Sequence, residues 1–79
     1  MKAEIWTWSY CPFCVEAKRV LDAHGVEYEE HVMDSEPAAL DEVKRKYSHP
    51  TVPIILLDGE FIGGASELAA VARSGGLGG

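Results

Sequence analysis

Ala3-Glu4-Ile5-Trp6-Thr7-Trp8 runs directly into Ser9-Tyr10-Cys11-Pro12-Phe13-Cys14, and the hydrophobic pattern changes period between the two halves of this stretch. The first half alternates and carries aromatic and β-branched residues, as a half-buried strand does. Ser9-Tyr10-Cys11-Pro12 then reads as a turn into a helix, with Pro12 in the first helical turn, where its missing N–H leaves nothing unpaired. Ala17, Val20, Leu21 and His24 recur at helical spacing, and Gly25 suits the position just past the helix end. A pair of cysteines therefore falls where a strand hands over to a helix.

Working outward, a second strand is predicted over 26–32, with Val26, Tyr28 and Glu30 alternating with Glu27, Glu29 and His31. A second helix begins near Ser35-Glu36-Pro37, with Ser35 as the capping hydroxyl and an early proline. Leu40, Val43, Lys44 and Tyr47 share one of its faces, and Ser48-His49-Pro50 ends it. The apolar run Val52-Pro53-Ile54-Ile55-Leu56-Leu57 fits a central strand covered on both sides. Asp58-Gly59 is a hairpin signal, with Glu60-Phe61-Ile62 as the return strand. Gly63-Gly64 leads to a last helix over 66–73, and the glycine-rich residues 75–79 are expected to fray. The order is βαβ, α, ββ, α. It predicts an α/β fold for a single domain, residues 1–79: a four-stranded mixed sheet flanked by three helices.

A chain of 79 residues buries only about 60% of the surface that its unfolded form exposes. Its two cysteines are too close in sequence for a disulfide staple to remedy that, because a bridge across so small a loop removes little unfolded-state entropy. Reactivity or metal binding explains them better. The net charge of −6 argues against nucleic acid as a partner, since phosphate binding needs a basic surface. The basic residues gather at Lys18-Arg19 and at Lys44-Arg45-Lys46, which read as two solvated helix faces or as a local positive field near a working site. No apolar run approaches the roughly 20 residues that span a bilayer. With a lone Cys-x-x-Cys and no stretch like a signal peptide, the expected compartment is the cytoplasm, with no membrane partner.

The chemistry centres on Cys11-Pro12-Phe13-Cys14. A thiolate, not a thiol, attacks a disulfide, and a helix start offers unpaired N–H groups and the positive end of the macrodipole to hold that charge. In motifs of this kind the thiol pKa falls from about 8.5 to roughly 3.5–7.5. Cys14, one turn later, is placed to attack a mixed disulfide held on Cys11, and Phe13 makes an apolar rim beside an exposed sulfur. Two other readings compete. Structural zinc takes four ligands, and the remaining candidates, His24, His31 and His49, form no H-x₃₋₅-H pair. An inert buried pair is the second, against which stands the proline-opened helix start directly after a strand. Thr51-Val52-Pro53 is the next feature. Proline belongs at a strand's first residue or edge, and a cis Val52–Pro53 bond would turn the Val52 backbone outward toward an extended peptide. Finally, the glycines of Gly63-Gly64-Ala65-Ser66-Glu67 permit close approach by a ligand to a helix start that favours anions, although Ser66 as a plain helix cap explains the segment equally well.

In this order and spacing, Cys-Pro-Phe-Cys, Thr-Val-Pro and Gly-Gly resemble the glutaredoxin family over nearly the whole chain. The resemblance implies a thioredoxin-like fold and glutathione as co-substrate, with no metal. It makes Cys11 the nucleophile and Cys14 the resolving thiol. Phe13, in place of the usual Tyr, together with Thr51 and Val52 beside a cis Pro53, would contact glutathione, and Gly64, Ala65 and Ser66 would bind its γ-glutamyl carboxylate. Three positions depart from the family pattern. Trp8 stands where many members have Lys, Leu40 where a Gln or Arg is usual, and Ala65 where a further cysteine is frequent. The first two weaken the charged clamp on glutathione's glycyl end, with Lys44 as a candidate substitute. The implied activity is reduction of protein–glutathione mixed disulfides and protein disulfides by a monomer whose partners are glutathione and disulfide-bearing client proteins. The alternatives are a redoxin coupled to thioredoxin reductase, against which Gly64-Ala65-Ser66 speaks, and a dimer carrying a [2Fe-2S] cluster, against which the stiff Pro12 speaks.

Overall fold

The computed structural model describes residues 2–77. Strand β1 (Lys2–Thr7) leads to helix α1 (Pro12–Ala23), strand β2 (Glu27–Val32), helix α2 (Pro37–Lys46), strands β3 (Ile54–Leu57) and β4 (Glu60–Gly63), and helix α3 (Ala65–Arg73). The sheet order is β2-β1-β3-β4. β1 pairs parallel with β2, and β3 pairs antiparallel with both β1 and β4. The expected mixed sheet with three helices is therefore present, and the all-apolar run does supply an inner strand, every residue of which is buried.

Strand register sorts the side chains onto two faces, because successive residues point to opposite sides. Ala3 and Ile5 lie opposite Leu57 and Ile55. They join Ala17 and Leu21 of α1, Val26, and Leu68 of α3 in one aliphatic core. On the other face Ile54 and Leu56 pack with Leu40 of α2, Met33, Val52 and both cysteines. Trp6, Tyr47 and Phe61 close that second core, with Tyr47 stacked on Phe61 at 4.9 Å between ring centroids.

Helix α1 ends as its sequence predicts. Gly25 takes φ +66°, its N–H donates to the Asp22 carbonyl, and the Val26 N–H donates to Leu21. These two bonds satisfy carbonyls that the helix end would otherwise leave open. The Asp58-Gly59 hairpin also forms, with both residues at positive φ.

Several boundaries move. Helix α2 is capped by Glu36 without a side-chain bond, so Ser35 does not supply the expected hydroxyl. Helix α3 starts one residue early, and its cap is Gly64 rather than Ser66. The expected fraying is corrected for residues 75–77. The Gly75 and Gly76 N–H groups donate to Ala72 and Val71, and Leu77 is buried in the aliphatic core. One apolar side chain in a polar, glycine-rich tail was enough to tie it down. The remainder of that predicted tail, Gly78 and Gly79, lies outside the described residues.

Candidate active site

Cys11 is the N-cap of α1, in extended conformation, and its Sγ accepts the Cys14 N–H at 3.1 Å. The helix therefore presents a backbone donor to this sulfur. No acidic residue stands in the first turn of α1 to neutralise the positive helix end. Cys11 and Cys14 are joined as a disulfide, with Cα atoms 5.1 Å apart. Opening this bridge takes two electrons and two protons and closing it gives them back, so the arrangement can carry thiol–disulfide exchange.

The two sulfurs are not equivalent. Cys14 is 1% exposed and faces the core. Cys11 is 8% exposed, which is less open than the sequence suggested. It nevertheless lines a surface cleft of about 380 Å³ with Trp8, Tyr10, Pro12, Phe13, Pro50, Thr51 and Val52. Packing against the second core removes most of the residue from solvent, and the cleft leaves one approach open. Around its mouth Tyr10 and Phe13 are 93% and 69% exposed, forming the apolar rim predicted for Phe13.

A second cleft, about 200 Å³, adjoins the first and shares Phe13, Thr51 and Val52 with it. It also brings in Pro53, Gly64, Ala65 and Ser66, so the seven non-cysteine residues singled out in the sequence line one continuous depression. The Val52–Pro53 bond is cis. Strand β3 begins only at Ile54, which leaves Val52 and Pro53 as cleft wall instead of sheet.

Two further residues line this cleft: Glu67, and His49, which the sequence offered only as a helix end and a zinc-ligand candidate. The Glu67 carboxylate accepts the Gly64 N–H at 2.7 Å. A side chain reaching back from the third helical position is a capping-box feature, so the spacing from Gly64 to Glu67 carried the signal. The same contact explains why glycine is required at residue 63. Its φ is +121°, and a Cβ there would lie 2.6 Å from Glu67 Oε1. His49 had no such signal, because its place depends on a turn in which Ser48 takes φ +52°.

The departures at Trp8 and Leu40 both line the groove next to the Cys11 cleft, and Trp8 lines the cleft itself. Trp8 is half-exposed, whereas Leu40 is buried in the second core. The Lys44 ammonium lies 5.2 Å from the centroid of the Trp8 ring and lines a neighbouring groove, outside the cleft of Thr51 and Ser66. Beneath α1, Glu30 accepts hydrogen bonds from Thr7 at 2.7 Å and Lys18 at 3.0 Å. Burial raises the Glu30 pKa, but the bonds from Thr7 and Lys18 and the Lys18 charge outweigh it, so the carboxyl sits below its ordinary value.

A strand-to-helix dithiol on a sheet of this topology defines a thiol–disulfide oxidoreductase. The glutaredoxin family model matches residues 3–62, and the chain belongs to that family. It is 38% identical over 74 residues to glutaredoxin 3 of Escherichia coli K12, covering 94% of this chain and 89% of that protein. It is 37% identical over 73 residues to a glutaredoxin of Pseudomonas aeruginosa, covering 92% and 87% of the two chains. Among solved structures, the dithiolic glutaredoxin 2-C-Grx1 of Trypanosoma brucei brucei superposes with a TM-score of 0.85 at 38% identity, covering 96% of this chain and 81% of that one. A buckwheat glutaredoxin–glutathione complex superposes with a TM-score of 0.88 at 26% identity, covering 95% and 71%. The thioredoxin-like fold expected from the sequence is thereby shown. Among the described residues, no helix is long and apolar enough to cross a membrane.

Proposed function

We propose that the protein reduces protein–glutathione mixed disulfides and protein disulfides at the expense of glutathione, with Cys11 as nucleophile and Cys14 as resolving thiol. One observation carries this reading. The cleft that holds Cys11 runs on into the depression formed by Phe13, Thr51, Val52, Pro53, Gly64, Ala65 and Ser66, at the start of α3. A relative of the same fold is known as a glutathione complex, which supports glutathione as the occupant.

In the monothiol reaction, the Cys11 thiolate attacks the glutathione sulfur of the mixed disulfide. The Cys11–glutathione bond forms, and the client thiolate leaves and takes up a proton. A second glutathione thiolate then attacks the glutathionyl sulfur, giving oxidised glutathione and restoring Cys11. With a protein disulfide, Cys11 forms a mixed disulfide with the client. Cys14 attacks the Cys11 sulfur and expels the second client thiol, leaving the Cys11–Cys14 bridge seen here. Two glutathione molecules return it to the dithiol. Potentials of roughly −200 to −230 mV, usual for glutaredoxins, match the glutathione pool of a cytoplasm, the compartment we assign.

The two roles separate by mutation. Cys11→Ser abolishes both reactions, whereas Cys14→Ser retains reduction of glutathione mixed disulfides and loses reduction of protein disulfides. Assays coupled to glutathione reductase measure both. Equal activity in the two variants contradicts the assignment, and turnover supported by thioredoxin reductase but not by glutathione contradicts the choice of reductant.

A further inference from the structure

We infer that Glu4, Glu29 and His31 form a binding site for a divalent first-row transition metal of the zinc type, on the sheet and apart from the redox pair. The parallel pairing of β1 with β2 sets Glu4 directly opposite Glu29 and Trp6 directly opposite His31. Side chains alternate along a strand, so all four stand on one face. One donor atom from each of Glu4, Glu29 and His31 lies within 4.8 Å of the other two. Zinc holds such oxygens and nitrogens at about 2.0–2.2 Å, which places its ligands roughly 3.4 Å from one another. The triad therefore closes on an ion by side-chain rotation alone. The imidazole is already aimed: His31 Nε2 lies 2.7 Å from Glu4 Oε2, and the Trp6 ring stacks on it with 5.0 Å between centroids. A metal takes the place of the hydrogen that this nitrogen and oxygen share, and water completes the shell.

The surroundings call for a cation. Like charges directly opposite one another on paired strands are destabilising, yet Glu4 and Glu29 hold that register. Among the described residues, the Glu29 carboxylate has neither a hydrogen bond nor an ion pair. An open recess of about 280 Å³ beside the two carboxylates is lined also by Asp58 and by one ammonium, Lys2. Asp58 is engaged in part by the Lys2 backbone N–H, at 2.9 Å. The histidine decides which cation fits. Imidazole suits zinc, copper and nickel, whereas magnesium and calcium take oxygen ligands. Cys11 follows the far end of β1, so the ion takes no part in disulfide exchange. It clamps the edge strand β2 onto β1.

The test uses the full chain in its disulfide form, in which no cysteine thiolate competes for metal. Zinc chloride is titrated by calorimetry and by NMR of the histidine rings, with magnesium chloride as the comparison. The expected result is one zinc per chain, with the His31 ring signals moving while those of His24 and His49 stay. Glu29→Gln, at an exposed position, should weaken zinc at least about tenfold, since even outer-shell partners of a metal are worth that much. No zinc binding up to about 1 mM overturns the site. So does binding that moves His24 or His49 in place of His31, or that Glu29→Gln leaves unchanged. Magnesium binding as tightly as zinc overturns the role given to the imidazole, and with it the transition-metal assignment.

Discussion

The two faces of the sheet are built from the same strands and serve different ends. On one face Ala3, Ile5, Ile55 and Leu57 meet Ala17, Leu21 and Leu68 in a closed aliphatic core beneath α1 and α3. On the other, Ile54, Leu56, Leu40 and Met33 share a core with Cys11, Cys14 and Val52, and aromatic rings border it. The first core holds the fold. The second also forms the floor of the clefts around the redox pair, so a change in its packing is felt at the sulfur. A small domain has too few residues to keep stability and chemistry in separate cores, and it divides them across the thickness of one sheet instead.

The sharpest way to break this division is to exchange the effects. Cys11→Ser should lower turnover by at least about 1000-fold while leaving the thermal midpoint within a few degrees of the wild type, as loss of a transferring nucleophile does. Leu21→Ala, on the aliphatic face, should do the reverse. It should cost about 2–5 kcal/mol of stability by creating a cavity, out of a total of roughly 4–12 kcal/mol for a chain of this length. Its activity per folded molecule should remain that of the wild type. Chemical denaturation and initial-rate assays on the same samples check both, and an inactive but stably folded Leu21→Ala would show that the two faces are not separable.

Glu30 gives a finer test, because it lies on β2 beneath α1 and ties Thr7, at the end of β1, to Lys18 of α1. Its folded pKa lies below the ordinary 4.5, so its charged form stabilises the native state above that pH. The contribution is lost as pH falls from about 4.5 through the lower folded value. Wild type should therefore exceed Glu30→Gln by about 1 kcal/mol at pH 6, a gap that closes in acid. A gap independent of pH from 6 to 3 would assign Glu30 a purely steric role. The smallest effect is expected at Trp8→Lys. Restoring a cation there should lower KM for a small glutathione mixed disulfide by a factor of up to about five, the range of one exposed charge contact. An unchanged or raised KM would show that Trp8 does not weaken the glutathione clamp.

Most of the fold was legible because each element carried its own local signal. Pro12 and Gly25 bracket α1, the apolar run from Val52 to Leu57 fits an inner strand, which forms over Ile54–Leu57, and Asp58-Gly59 makes the hairpin. The ends of elements were less legible where capping was not done by the expected hydroxyl. Glu67 took over at α3, and Glu36 left α2 without a side-chain cap. At the site, local motifs named the cysteines and the residues of one cleft. The place of His49 in the cleft and the apolar groove escaped notice because they are assembled from segments distant in sequence. Trp8, Met33 and Leu40 meet only after β1, β2 and α2 have packed. The burial of Cys11 was likewise invisible, since it depends on that same packing.

The helix-tip sulfur can be questioned directly by following iodoacetamide alkylation of the fully reduced protein from pH 4 to 9, with mass spectrometry to locate the label. Cys11 should react with a midpoint below about 7.5, while Cys14, buried behind it, remains unlabelled in the folded state. A Cys11 midpoint near the ordinary 8.5, or faster labelling of Cys14, would contradict the proposal that α1 holds Cys11 as the attacking thiolate.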